Sequence, residues 1–149
     1  MLSTRDREEQ VTELAARLRL AIARTARRLR QEAGTDLSAA LTAALATVET
    51  RGSLTPSELA ELEHVRRPTA TRIVARLEEE GLIDRAADPD DGRASLLSVS
   101  RDGRDLLRRL RGRKNAYLAR RLRELDDGEV EALERAAEVL ERLLETERR

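Results

Sequence analysis

The sequence predicts a mainly α-helical fold with one small β-hairpin, arranged as a helix–turn–helix followed by a β-wing and flanked by terminal helices. Three observations predict it. Apolar residues recur at spacings of three and four over most of the 149 residues. A capped short helix precedes an arginine-rich helix, and a turn cluster then leads into an alternating apolar run. Phe, Trp and Cys are absent, so the core must be built from aliphatic side chains, which suits helix-on-helix packing.

One apolar stripe runs along the first predicted helix, about residues 6–32. Its main members are Val11, Leu14, Leu18 and Ile22. Gly34 is expected to end this helix. A second helix is predicted over residues 38–50, and Arg51-Gly52-Ser53 is expected to break it.

A helix–turn–helix is predicted next. Thr55 is an N-cap, Pro56 occupies the first helical position, and Glu58 completes a capping box. The second helix of the motif is expected to end at Gly81. Shared helical spacing predicts a common core for Leu59, Leu62, Val65, Ile73, Val74 and Leu77.

The wing is predicted from a turn cluster over residues 88–93, which leads into a strand over residues 94–99. At the tip of this hairpin, Asp91 can hold either the guanidinium group of Arg93 or a backbone N–H. Arg85 is expected to brace the wing. The alternative interpretation of the tip is a solvated polar hairpin.

Two C-terminal helices are predicted, one over about residues 102–125 and one after a turn at residues 126–129. Their apolar positions include Leu118, Leu122, Val130, Leu133, Leu140 and Leu144. Together with the first helix they carry more apolar surface than a central module of some 65 residues covers. A second copy of the chain is expected to cover it, and an intramolecular three-helix bundle is the alternative.

Composition bears on the class of function. Positive and negative charges cancel, but they are segregated: residues 65–77 contain four arginines and no acid, and a second basic run covers residues 104–114. One histidine (His64), no cysteine and no glycine-rich phosphate loop argue against an enzyme, a metal site or a cofactor. His64 is interpreted as a turn residue. With neither a signal-like N-terminus nor a long apolar run, a cytoplasmic location is expected.

The whole chain resembles the MarR (multiple antibiotic resistance regulator) family of winged-helix transcription regulators. The resemblance rests on residues 58–60, on 68–74 (Pro-Thr-Ala-Thr-Arg-Ile-Val), on 81–83, and on the wing segment 88–94 (Asp-Pro-Asp-Asp-Gly-Arg-Ala). Gly92 stands where many relatives carry an arginine, and His64 where a glycine is common.

The resemblance implies one MarR-like domain over residues 1–149 that forms a homodimer. Residues 1–34 and 102–149 would form the dimerisation region, and residues 37–101 a DNA-binding lobe. Each lobe would bind half of a pseudo-palindromic operator in double-stranded DNA, and the dimer would act as a repressor. A small-molecule effector is a further implied partner, with Arg17, Arg24 or Arg28 near its crevice.

The predicted DNA-binding residues belong to the second helix of the motif and to the wing. They are Arg66, Arg67, Pro68, Thr69, Thr71, Arg72, Arg76, Asp91 and Arg93. Arginine can bond guanine bidentately, and threonine can contact a base or a thymine methyl group. The alternative for the arginines is a solvated, ion-paired helix face. The alternative function is a winged-helix protein–protein interaction module that does not touch DNA.

Overall fold

The computed structural model describes residues 3–146, which form six α-helices and one β-hairpin. In chain order these are α1 (Thr4–Ala33), α2 (Ala39–Arg51), α3 (Pro56–Leu62), α4 (Arg67–Glu79), β1 (Ile83–Ala87), β2 (Ser95–Val99), α5 (Arg101–Leu122) and α6 (Asp127–Thr146). The predicted fold class is confirmed. Residues 1–2 and 147–149 of the predicted dimerisation region lie outside the described residues.

Local signals begin and end most helices as predicted. The capping box of Thr55 and Glu58 starts α3, and Gly34 ends α1 at a φ of 63°. The end of α4 is a Schellman motif, in which Gly81 has a φ of 70° and the N–H of Leu82 donates to the carbonyl of Leu77 at 2.9 Å.

Two helix limits differ from the prediction. α1 begins at Thr4, not near residue 6, because Ser3 and Asp6 form a capping box that the apolar periodicity does not report. α5 ends at Leu122, not near residue 125, and the side chain of Asp126 then caps α6 by accepting from the N–H of Glu129 at 2.8 Å.

The chain divides into two compact units, one ending at Lys114 and the other starting at Asn115. The first unit holds α1 to α4, the hairpin and the first part of α5. Its core is aliphatic, and its largest fully buried side chains are Leu45, Leu54, Leu59, Leu77, Leu97, Leu110, Val48 and Val74. The second unit consists of the end of α5 and of α6, in which no residue is buried.

The predicted core around the helix–turn–helix is confirmed for Leu59, Ile73, Val74 and Leu77 and is wrong for Leu62. Leu62 is 37% exposed. α3 ends at this residue, so the helical periodicity behind the prediction stops there.

The hairpin has a regular antiparallel register, from Ile83 opposite Val99 to Ala87 opposite Ser95. Leu54 extends it by exchanging backbone hydrogen bonds with Leu97, at 2.8 and 3.1 Å. The wing is therefore attached to the segment just before α3. Within residues 3–146, no helix combines the length and the apolar content that crossing a membrane would require.

Candidate nucleic-acid interface

The outward face of α4 carries the predicted base-contacting residues. Ala70, Ile73, Val74 and Leu77 are buried against the rest of the lobe. The same helical geometry turns the opposite face to solvent. Exposed there are Arg66, Arg67, Pro68, Thr71, Arg72 and Arg76, whereas Thr69 is half-buried.

The arginines of this face fall into two groups. The side chains of Arg66, Arg67 and Arg72 have no ion pair and no hydrogen bond to other described residues. The guanidinium of Arg76 instead lies 2.8 Å from the Glu80 carboxylate and 3.9 Å from that of Glu79. The alternative interpretation, an ion-paired helix face, thus applies to Arg76 and not to Arg66, Arg67 or Arg72.

The first turn of α4 presents uncapped backbone donors. Arg66 is the N-cap residue and its side chain makes no capping hydrogen bond, while Pro68 has no N–H to leave unpaired. An N-terminus of this kind favours anions, because the free N–H groups and the helix dipole both point outward. The hydroxyl of Thr71 donates to the carbonyl of Arg67 at 2.9 Å, so its proton is already used.

The wing tip consists of two hydrogen-bonded turns. The Asp91 carboxylate accepts from the backbone N–H of Arg93 at 3.1 Å, and the Asp88 carboxylate accepts from that of Asp90 at 2.9 Å. The backbone of Ala94 closes the tip with one hydrogen bond to Asp88 and one to Asp91, each of 3.0 Å. Asp91 was predicted to hold either the guanidinium group of Arg93 or a backbone N–H, and in the structure it holds the backbone N–H. The exposed side chain of Arg93 has no partner among the described residues.

Arg85 connects the wing to α4, as expected. Its Nε and Nη2 atoms donate to one oxygen of Glu78, at 3.1 and 2.5 Å, and Nη1 lies 3.4 Å from the hydroxyl of Ser95. One side chain on β1 therefore contacts both α4 and β2.

Much of the second basic run is used internally. Arg111 pairs with Glu49 of α2 at 2.7 Å, and Arg113 donates to the carbonyl of Ala33, the last residue of α1, also at 2.7 Å. Neither contact could be predicted from the sequence, since they join residues 62 and 80 positions apart and leave no local pattern.

A cavity of about 390 Å³ lies where α1 ends and α2 and α5 pass. Its lining consists of Arg27, Arg30, Gln31, Ala33, Thr35, Leu37, Ala39, Thr42, Leu110 and Lys114. The cations that reach it are thus Arg27, Arg30 and Lys114, and none of the expected Arg17, Arg24 and Arg28 is among the lining residues. Arg27 and Arg30 are one helical turn apart in the last part of α1, a spacing that could have indicated them.

The terminal helices keep their apolar stripes exposed in the single chain. In α1, Val11 is 57% and Ile22 51% exposed, and Leu14 and Leu18 are also exposed. In the second unit, Leu144 is 62% exposed, Leu133 and Leu118 are exposed, and Leu122, Val130 and Leu140 are half-buried.

The chain is similar to known proteins of one family. The model of the MarR family matches residues 37–95. A helix–turn–helix-type transcriptional regulator of Mycobacterium tuberculosis is 39% identical over 128 residues, which are 85% of this chain and 90% of that protein.

Two solved structures extend the comparison. One, described as a transcriptional regulator of Pseudomonas aeruginosa, is 34% identical, with a TM-score of 0.82 over 91% of this chain and 96% of that one. The other is a mutant MarR of Escherichia coli in complex with operator DNA, 22% identical, with a TM-score of 0.64 over 88% and 95% of the two chains. Its likeness concerns the fold. The family model and the relatives together show that the chain belongs to the MarR family of winged-helix transcriptional regulators.

Proposed function

We propose that this chain is a sequence-specific DNA-binding regulator that acts as a homodimeric repressor on a pseudo-palindromic operator. The observation that carries the proposal is the set of unpartnered arginines on the open face of α4, namely Arg66, Arg67 and Arg72. Arginines left without internal partners are free to pair with phosphates and base edges. The E. coli MarR neighbour, whose fold is similar, was solved with operator DNA bound.

The first two turns of α4 would enter the major groove. Arg72 projects from the exposed face and is suited to bidentate hydrogen bonding with guanine. Arg66, Arg67 and the uncapped N–H groups would contact phosphates, which fix the register of the helix. The hydroxyl proton of Thr71 is used within the helix, so we assign its methyl group to contact with thymine.

The wing would carry Arg93 into the minor groove beside the half-site. A narrow A·T-rich minor groove has an enhanced negative potential that attracts arginine. Asp91 would act indirectly, because its carboxylate holds the turn from which Arg93 projects. Ion-paired Arg76 would contribute less than Arg72.

Dimerisation would use the exposed stripes of α1 and of the second unit, within the predicted regions 1–34 and 102–149. Each leucine buried there contributes about 1.5–3 kcal/mol. A two-fold dimer would set the lobes, residues 37–101, on half-sites separated by about one helical turn of DNA, roughly 34–36 Å. Repression would follow where such an operator overlaps a promoter.

A mobility-shift titration tests the proposal, with the intergenic DNA beside the native gene as probe and a scrambled duplex as competitor. We expect a discrete dimer–DNA complex that survives the competitor. Its affinity should fall at least about tenfold between 50 and 200 mM salt, because neutralised phosphates release counterions. Binding that is absent or insensitive to salt would favour the alternative, a protein–protein interaction module.

An effector is the second part of the proposal, and the cavity bordered by Arg27, Arg30 and Lys114 supports it. Three cations around apolar Leu37 and Leu110 suit a small organic anion. Benzoate should raise the thermal unfolding midpoint and release the operator, whereas neutral benzamide should do neither. The double variant Arg30→Ala/Lys114→Ala should lose the response to benzoate. Equal effects of the two compounds would contradict an anion site.

A further inference from the structure

The chain contains three aspartate–glycine pairs, which are Asp91–Gly92, Asp102–Gly103 and Asp127–Gly128. In such a pair the peptide nitrogen of the glycine can attack the side-chain carboxyl carbon of the aspartate and close a five-membered ring. Glycine favours this reaction, because it has no Cβ atom to shield its nitrogen and its backbone turns freely. The sequence makes the three pairs equivalent, so the structure decides which of them can react.

Two of the three pairs lie in the first turns of α5 and α6, where regular helical backbone holds them. Gly103 is buried, and its N–H donates to the hydroxyl of Ser100 at 3.0 Å. Gly128 belongs to the turn that the side chain of Asp126 caps through its hydrogen bond with the N–H of Glu129. Ring closure at either pair requires the start of a helix to unwind, which opposes the reaction.

The third pair, Asp91–Gly92, lies at the exposed tip of the wing, outside the helices and strands. The Asp91 carboxylate is folded back over the backbone that follows it, since it accepts from the N–H of Arg93 at 3.1 Å. The nitrogen of Gly92 lies between these two groups in the chain, and its N–H has no acceptor within residues 3–146. The space beside Gly92 is also open, because a Cβ atom there would meet nothing within 4 Å.

We propose that Asp91 is a site of spontaneous isomerisation to isoaspartate. The nitrogen of Gly92 forms a bond with Cγ of Asp91, and the hydroxyl of the protonated carboxyl group leaves with the amide proton as water. Water then opens the cyclic imide at one of its two carbonyl carbons. Addition at Cγ restores aspartate, whereas addition at the backbone carbonyl carbon breaks the original peptide bond and leaves the chain joined through Cβ and Cγ. One water is lost and one is gained, and nothing is oxidised or reduced.

Isomerisation removes the support of the Arg93 side chain. The main chain gains one methylene group at residue 91, and the carboxylate is then attached directly to Cα. The hydrogen bonds that Asp91 accepts from the N–H groups of Arg93 and Ala94 no longer fit this backbone. The pairing of β1 with β2 starts beyond the tip, so the fold remains while Arg93 loses its position. This effect on DNA binding rests on the proposed function, whereas the modification itself does not.

Ageing of the purified full chain at physiological temperature and pH tests the proposal. Trypsin cuts after Arg85 and Arg93, so the peptide of residues 86–93 reports on Asp91. We expect a second form of this peptide with the same mass, which an isoaspartyl methyltransferase labels from radioactive S-adenosylmethionine. Operator binding should fall in step with the isomerised fraction, while the thermal unfolding midpoint stays unchanged.

Gly92→Ala is the test variant, because Gly92 does not have a positive φ and an added methyl group meets no neighbour. When fresh it should bind the operator like the wild type, and on ageing it should lose most of the label and keep its binding. Asp127→Glu is the control, because it removes one of the helical pairs, and it should gain label and lose binding like the wild type.

Three results would decide against parts of this scheme. Label that is absent from residues 86–93, or that is equal in Gly92→Ala, would overturn the modification site. Label in the wing without loss of operator binding would overturn its effect on Arg93. A fresh wild-type chain that does not bind the operator would contradict the proposed function, and the label would still confirm or overturn the modification of Asp91.

Discussion

At the scale of single residues, the partner of each arginine decides its role. Arg76 and Arg72 lie one turn apart on the same exposed helix, yet Arg76 is held by Glu79 and Glu80 and Arg72 is not. The sequence already carries this difference, because the residues three and four positions after Arg76 are glutamates, whereas those after Arg72 are an alanine and an arginine. Only the position of the acidic side chains separates them.

We expect Arg72→Ala and Arg93→Ala each to weaken operator binding by at least about tenfold and to leave the dimer intact. A lost bidentate contact of Arg72 costs about 1–3 kcal/mol, and loss of Arg93 removes its attraction to the minor groove; the dimer loses each contact in both half-sites. Fluorescence anisotropy on the mapped operator measures the effect, with Arg76→Ala as the matched control and a smaller expected loss. Unfolding of either variant, or unchanged affinity in both, would contradict the site assignment.

Gly103 provides a residue-scale prediction of stability. A Cβ atom at this position would lie 2.2 Å from the carbonyl oxygen of Leu82 and 2.7 Å from Cγ2 of Val99. That carbonyl accepts from the N–H of Ser100 at 2.9 Å, so it is not free to move. Gly103→Ala should therefore lower the free energy of unfolding by about 1–3 kcal/mol, as overpacking does.

Gly112 is the control for this change, because it lies in the same helix and a Cβ there meets nothing within 4 Å. Gly112→Ala should raise the free energy of unfolding by about 0.5–1 kcal/mol, the usual gain in an exposed helix. Urea denaturation of both variants measures their free energies of unfolding, and the difference between them separates the effect of the clash from that of helix propensity. Equal shifts would show that α5 approaches Leu82 less closely than described.

At the scale of elements, the side chain of Arg85 adds an ion pair between the wing and α4 to the apolar packing of Ile83 and Leu97 on that helix. Arg85 bonds Glu78 and reaches Ser95, but the pair is partly exposed and contributes less than about 1 kcal/mol to stability. Arg85→Ala should thus leave global unfolding nearly unchanged. It should speed amide hydrogen exchange in β1 and β2 and lower operator affinity a few-fold, since Arg93 would be less well positioned.

Arg85→Lys is the control for this prediction, because it keeps the charge but not the forked donor. It should give hydrogen exchange between that of the wild type and that of the alanine variant. Exchange rates identical in all three proteins would mean that the wing is held by its backbone pairing alone.

At the scale of the whole molecule, the exposed stripe of α1 should matter only in the dimer. Truncation before Leu14 removes Val11 and the capping box of Ser3 and Asp6, while the buried core of the lobe is untouched. We expect a weaker dimer by analytical ultracentrifugation and, through lost half-site spacing, lower operator affinity. A truncated chain that dimerises like the full chain would contradict the role given to this end of α1.

The sequence by itself determined the order of the helices and the hairpin, because the signals that begin and end these elements are local. The capping box at Thr55, the glycines at 34 and 81, and the turn before β2 act over a few residues, so the order of helices and hairpin could be predicted. So could the apolar faces of the helices, because apolar residues at helical spacing lie on one side of a helix. The same local signals indicated where the candidate DNA-contacting residues would lie.

The tertiary structure alone decided contacts between distant segments. It selected Arg27, Arg30 and Lys114 for the cavity, tied Arg113 to the end of α1, and brought Leu82 against Gly103. Such contacts depend on how elements meet in space, and residues 80 positions apart carry no mutual signal in a single sequence.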